Sequence, residues 1–145
     1  MEKLSDNLFA GIGLETTDII GASATSLYLD MGTFDDATFL VVLGAAWDAG
    51  ETLDLCKLVQ ATDAGGTGSN DIVGKAIVAN DPSTAGEVYA LEVKAEDLDL
   101  AGGFNFVACK VANEGIAVLA PVTIIKMGHN LRKKYANVLG ATARV

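Results

Sequence analysis

Short segments that alternate apolar and polar side chains, cut apart by runs of turn formers, fill residues 50–111, and this punctuation constrains the fold more than any other feature. Thr52-Leu53-Asp54-Leu55 alternates with Leu53 and Leu55 inward and continues through Cys56-Lys57-Leu58-Val59-Gln60-Ala61. There the period of two slips near Lys57, as a β-bulge would make it slip. The run from Asp71 to Ala79 is apolar after its first residue apart from Lys75, and its central Gly74 predicts a bend or bulge. On either side lie Asp63-Ala64-Gly65-Gly66-Thr67-Gly68-Ser69-Asn70 and Asn80-Asp81-Pro82-Ser83-Thr84-Ala85-Gly86, both rich in turn formers. Tyr89, Leu91 and Val93 then share one face of a half-buried strand, with Glu92 and Lys94 on the other. Residues 96–103 predict a turn, and residues 104–111 the antiparallel partner of that strand. Strands at this spacing with glycine-rich joints predict a β-sandwich or barrel.

The flanks extend the pattern. Residues 16–20 and 25–31 read as short strands around Gly21-Ala22-Ser23, and residues 32–36 as a turn. Residues 37–46 are almost continuously apolar, the mark of a strand buried on both faces, inside a sandwich or at a subunit contact. A buried helix competes for this run, but its β-branched and aromatic content and Gly44 favour strand. Trp47 closes it at a turn, where core packing is its default role and interface anchoring the alternative. Asn113-Glu114-Gly115 predicts a hairpin turn into residues 116–125, interrupted by Pro121, which belongs at an edge or bulge. Asn7-Leu8-Phe9-Ala10-Gly11-Ile12-Gly13-Leu14 is apolar but broken by glycine and suits an arm lying along a partner. The expected organisation is an N-terminal arm over residues 1–15, a sandwich over 16–128 and a basic tail over 129–145. In that tail Leu131, Tyr135 and Val138 or Leu139 have helical spacing.

At 145 residues the chain is long enough to bury a core without staples, and half of its residues are apolar. A positive mean hydropathy of +0.36 implies extensive burial, including burial against other subunits. The apolar runs at residues 39–47 and 116–125 are too short to span a bilayer as helices, so no membrane partner is expected. Met1-Glu2-Lys3-Leu4-Ser5-Asp6 leads into no sustained hydrophobic region, which predicts no secretory signal and a reducing cytosol as the place of synthesis. Cys56 and Cys109 fall in expected strands and read as buried thiols. A disulfide between neighbouring strands is the weaker alternative, and two cysteines with one histidine make no recognisable zinc site.

Charge divides unevenly. The first 125 residues hold five basic and all nineteen acidic side chains, for a net −14. The last twenty hold Lys126, Arg132, Lys133, Lys134 and Arg144 and no acid, for +5. Such a basic end is drawn to an acidic neighbour, including another copy's body, although a merely solvated basic face accounts for it as well. The acidic body repels phosphate, and one Arg-Lys-Lys cluster beside Tyr135 is a small footprint, so nucleic acid is not the expected partner.

Convergent chemistry is sparse. His129 has no Ser or Cys near it in a nucleophile motif, and Ser69 lacks the flanks of a nucleophile elbow. Gly11 and Gly13 lack the third glycine of a dinucleotide fingerprint, and the loop at residues 65–69 has no following Lys-Ser or Lys-Thr pair, so it reads as a turn. Asp35-Asp36 and Glu96-Asp97 with Asp99 do not match an ordered calcium loop and read as solvated turns. No catalytic, cofactor or metal residue is assigned, and the chain is expected not to be an enzyme.

Leu58-Val59-Gln60-Ala61-Thr62-Asp63-Ala64, the glycine loop, Asp71-Ile72-Val73-Gly74-Lys75-Ala76, Leu91-Glu92-Val93-Lys94-Ala95-Glu96-Asp97-Leu98-Asp99 and Phe104-Asn105-Phe106-Val107 together resemble small virion proteins of tailed bacteriophages, including capsid decoration or cement proteins. The resemblance spans about residues 38–125 and rests on strand and turn features. It implies a jelly-roll-like sandwich on the capsid exterior, bridging major capsid subunits. With the absent chemistry and the charge split, it leads to a homo-oligomer with Leu8, Phe9, Arg132, Lys133, Lys134, Tyr135 and Arg144 as interface candidates. A tail, neck or baseplate component of the same kind of virion is the alternative, and a carbohydrate-binding sandwich a more distant one.

Overall fold

A computed structural model describes residues 8–116 and 119–130. Strands β1 (Leu8–Asp18), β2 (Ala22–Thr25), β3 (Leu29–Asp30), β4 (Asp36–Leu43), β5 (Leu55–Ala61), β6 (Asn70–Ile77), β7 (Val88–Lys94), β8 (Phe106–Asn113) and β9 (Pro121–His129) form two packed antiparallel sheets. One has the order β1-β9-β4-β7, the other β2-β8-β5-β6, with β3 also on β8. This is the all-β sandwich the punctuation predicts.

β2 and β3 are one strand interrupted once. They pair with successive stretches of β8, from Ala22 opposite Asn113 to Asp30 opposite Phe106. At the break the Cys109 N–H donates to Ser26 Oγ (3.0 Å), while the Ser26 N–H donates to the Cys109 carbonyl (2.9 Å). A side-chain hydroxyl thus stands in for a ladder carbonyl, and no buried donor is orphaned. With β2 and β3 counted as one, the hairpins nest: first strand with last, second with second-last, then β4 with β7 and β5 with β6. Rolling that ribbon so that β9 meets β4 and β8 meets β5 gives the jelly roll.

This topology corrects two local expectations. β7 and β8 are not hairpin partners: a 3-10 turn (Ala95–Asp97) and buried Leu98 carry the chain from one sheet to the other. Likewise β8 and β9 lie in different sheets, so Asn113-Glu114-Gly115 opens a crossover. Pro121 is the first residue of β9, a central strand position that needs no earlier ladder N–H. Turn formers mark where a strand ends, and the hydrophobic faces of the whole ribbon decide where the next begins.

The expected arm is also corrected over its described part. From Leu8 opposite His129 to Asp18 opposite Pro121, β1 is an edge strand of the sandwich itself. Its glycines serve close approach: a Cβ on Gly13 would lie 3.2 Å from Ser26 Cβ and 3.3 Å from the Ile124 carbonyl oxygen. The slip near Lys57 is real, and the extra residues sit on the opposing strand. Lys57 faces Ala76 and Val59 faces Asp71, with Gly74 at φ +77 in the bulge between.

Side chains between the sheets form one core. Phe39, Val41 and Leu43 of β4, Leu91 and Val93 of β7, Val122 and Ile124 of β9 meet Cys56 and Leu58 of β5 and Val107, Cys109 and Val111 of β8. Each fully buried large aliphatic or aromatic side chain contributes roughly 1.5–3 kcal/mol. Leu53 is buried as expected, whereas Leu55 is half-exposed, because inward alternation in β5 passes through Cys56 and Leu58. Trp47 packs into the core at 5% exposure, its indole N–H donating to the Glu51 carbonyl (3.2 Å). Cys56 and Cys109 are buried free thiols on neighbouring strands, and the hydrogen bond between them together with burial pushes the Cys109 thiol far above the ordinary range.

Candidate interaction surface

Strand alternation sends the odd residues of β4 inward and the even ones outward, and register then builds the outer face of the four-stranded sheet row by row. The first row is Leu8, His129, Asp36, Lys94; the second Ala10, Met127, Thr38, Glu92; the third Ile12, Ile125, Leu40, Ala90. Val42 is flanked by Thr123 and Val88 in the fourth, closed on the β1 side by Thr16, whose hydroxyl is 2.8 Å from that of Thr123. Ionisable groups gather at one end, where His129 Nδ1 lies 3.8 Å from Asp36 Oδ2. There Asp36, Thr38, Lys75, Glu92, Lys94 and His129 line a depression of about 180 Å³. Apart from Glu92 at the β7 edge of the second row, the remaining rows are apolar or hydroxyl-bearing. Ile12 is 52% and Val88 55% exposed, and Leu40, Val42, Ile125 and Met127 are half-buried. Among the described residues no layer covers this face.

The outer face of the five-stranded sheet differs. Lys57 of β5 lies opposite Lys110 of β8, Ser23 and Thr25 flank them on β2, and Asp71 of β6 holds Lys57 at 2.8 Å. The adjoining pair, Val59 and Ala108, also points outward yet is buried beside those lysines.

Of the sequence candidates, the structure puts only Leu8 on the apolar face. Phe9 points to the other side of β1 and stacks on Phe34 with ring centroids 6.0 Å apart. Arg132, Lys133, Lys134, Tyr135 and Arg144 lie outside the described residues, as does the helical spacing at Leu131, Val138 and Leu139. Lys126, counted with the basic end, belongs to β9 on the side of Phe39. Its Nζ is 3.4 Å from the Tyr28 carbonyl oxygen, and burial pushes its pKa down. Sequence reasoning missed Ile12, Ile125 and Met127, because their register opposite β1 and β4 is set by partners distant in the chain. The signal that was available is the doubly apolar run of β4.

The loops are internally occupied. Asp63 Oδ1 accepts the N–H groups of Gly65 (2.9 Å) and Thr67 (3.1 Å), turning inward the donors a phosphate would need; its bonds with Thr67, then those with Gly65 and Gly66, hold its carboxyl below the usual value. Asp97 accepts the Lys94 N–H (2.8 Å) and faces Lys75 at 3.3 Å, and Asp99 accepts the Gly102 N–H (2.9 Å). Among the described residues no group of three or more His, Cys, Asp or Glu could hold a metal, and no helix is long and apolar enough to cross a membrane. Trp47 is turned into the core and Tyr89 is tied to Glu87 Oε2 at 2.6 Å, so neither offers a sugar-stacking platform.

No protein-family model matches this chain, and no curated protein matches it. Among solved structures, the K1 cleaved adhesin domain of Lys-gingipain from Porphyromonas gingivalis W83 is similar over 83% of this chain and 73% of that one, at 15% identity and a TM-score of 0.39. A likeness at that level lends no support to any particular role.

Proposed function

We propose that this chain is a non-enzymatic structural subunit of a bacteriophage virion, bound to the outside of the capsid as a decoration or cement protein, and that the outer face of the four-stranded sheet is its protein-association surface. The observation that carries the association role is that face itself: Ile12, Leu40, Val42, Val88, Ile125 and Met127 form one apolar platform, with ionisable groups confined to its first row and to Glu92 at the β7 edge of the second. The virion setting is supported by the resemblance along residues 38–125 and agrees with the jelly roll, a fold that hosts many functions and so fixes none. In this reading the basic residues Arg132, Lys133, Lys134 and Arg144, with Tyr135, grip acidic shell subunits, and the sandwich body is the rigid part that bridges them. Binding the assembled shell and not its free subunits stabilises the shell by mass action.

The test is the stoichiometry of this chain relative to the major shell protein in purified particles, with rebinding of wild type and a Leu40→Asp variant to particles lacking it. A copy number that is a simple fraction of the shell copies, with rebinding weakened in the variant, is expected. A handful of copies per particle would replace this reading by a tail, neck or baseplate role, and absence from particles would overturn both.

A further inference from the structure

Accepting the platform as an association surface, its pattern of rows identifies the partner. We infer that two copies of this chain pair face to face through the outer side of the four-stranded sheet, about a two-fold axis that runs parallel to the strands between β9 and β4. Such an axis reverses strand order and keeps each row level, so every row meets itself turned end for end. In the first row His129 of one copy then faces Asp36 of the other, and Asp36 faces His129, so each side chain keeps its own partner and gains a second of opposite polarity. In the second, Met127 meets Thr38, and Glu92 meets Ala10 at the rim. In the third, Ile12 meets Ala90 and Ile125 meets Leu40, so the larger side chain at the edge meets the smaller. The other two-fold axis lying in the face, perpendicular to the strands, would set His129, Asp36 and Lys94 against the row of Val42, Val88 and the threonines. His129 and Asp36, in the middle of the row, would then be desolvated without a counter-charge, whereas the chosen axis leaves charge against carbon only at the rim, at Glu92 and at Lys94 opposite Leu8.

The size of the platform agrees. Four strands about 4.8 Å apart and four rows about 6.8 Å apart span about 500 Å² per copy, or about 1,000 Å² in the pair, the threshold of a specific interface. Face-to-face stacking of twisted sheets within about 30° of alignment is the geometry that already joins the two sheets of one copy. An interface of this modest size makes the pair reversible and concentration-dependent.

The arrangement makes a prediction that no other occupant of the face makes. Ile12 and Ala90 sit on opposite edge strands, about 14 Å apart at three strand spacings, too far for a short bis-maleimide to join them within one chain. Across the proposed axis they meet twice. The double variant I12C/A90C is therefore expected to yield covalent dimers with that reagent, and either single variant only traces, while the buried Cys56 and Cys109 stay silent. Sedimentation equilibrium of the unmodified full chain should show a monomer–dimer equilibrium that Leu40→Asp abolishes while the variant still unfolds in one cooperative transition. A wild type that remains monomeric with no cross-link, or that dimerises equally well with Leu40→Asp, overturns the pairing. So does a monomer that begins to associate only when residues 131–145 are removed, because the face would then be covered by the chain's own end. Particles that take up a strictly monomeric chain would sink the pairing and leave the proposed function standing. A cross-linked dimer absent from particles would do the reverse.

Discussion

The two outer faces are built by the same strand alternation on two sheets of one jelly roll, yet they end differently. On the five-stranded sheet Lys57 and Lys110 stand in the middle of the face with Asp71 balancing Lys57, the small pair Val59 and Ala108 is buried beside them, and Leu55 and Phe106 are half-buried in the rows at either end of β5. On the four-stranded sheet the corresponding middle rows carry Ile12, Ile125, Leu40, Val42, Val88 and Met127, and their carbon stays in contact with water. Charge breaks up the middle of the first face, whereas the middle of the second is continuous aliphatic surface. On a chain of net charge −9, that contiguous apolar area is the basis of the association surface proposed above.

The largest expected effect separates the two sides of a single strand. Phe39→Ala, at a fully buried position, should cost about 3–5 kcal/mol in denaturant unfolding, whereas Leu40→Ser, one residue on, should cost less than about 1 kcal/mol in the isolated chain. Equal losses would mean that the outer face is already covered within the monomer, and the contrast would collapse. Next come the equivalent valines of the two outer faces. Val59→Ala, at 4% exposure, should lose about 1–2 kcal/mol, and Val88→Ala, at 55%, roughly half a kcal/mol or less. Smaller still is Lys57→Met: with Asp71 64% exposed, that ion pair is worth at most about 0.5–1 kcal/mol, and 1 M salt should erase the difference from wild type.

The smallest effect concerns acid. The Tyr89 O–H, then the Asn80 amide and the Thr84 N–H, hold the Glu87 carboxyl below its ordinary value of 4.5 beside the edge of the apolar platform. A carboxyl whose folded-state pKa is depressed adds stability above its unfolded value and loses it as pH falls through the folded one. Wild type should therefore exceed Glu87→Gln in stability at neutral pH, with the gap closing as pH drops below 4.5. A gap that widens on acidification would contradict the assigned bonds.

Much of the fold was legible because local rules and the final structure agree. The alternation of Tyr89, Leu91 and Val93 against Glu92 and Lys94, the bulge signalled by Gly74, and β4 as a strand all survive in place, although β4, expected to be buried on both faces, is buried on one. Pairing was not legible. β7 and β8 are neighbours in sequence with a good turn between them, yet they pair in different sheets, since partners in a rolled ribbon are chosen by total buried area and not by the nearest turn. The glycines of β1 show the same limit: by sequence Gly11 and Gly13 suit an arm along a partner, whereas in the fold they admit Phe9, Ser26 and Ile124 at close range. The surface was half legible. The run at residues 38–43 announced a second apolar face, but assembling that face required the register of β1, β9 and β7, which no local window contains.

The nested hairpins have a consequence for engineering. Because β1 begins opposite the residue where β9 stops, Leu8 against His129, the start of β1 and the end of β9 share one corner of the body. The connections at 44–54 and 78–87 lie at the opposite pole, beyond the far ends of β4 and β7. The sandwich is therefore a two-ended bracket: load applied at Leu8 or at His129 enters at the same corner, and a peptide grafted into those distal loops would be held at the pole away from it.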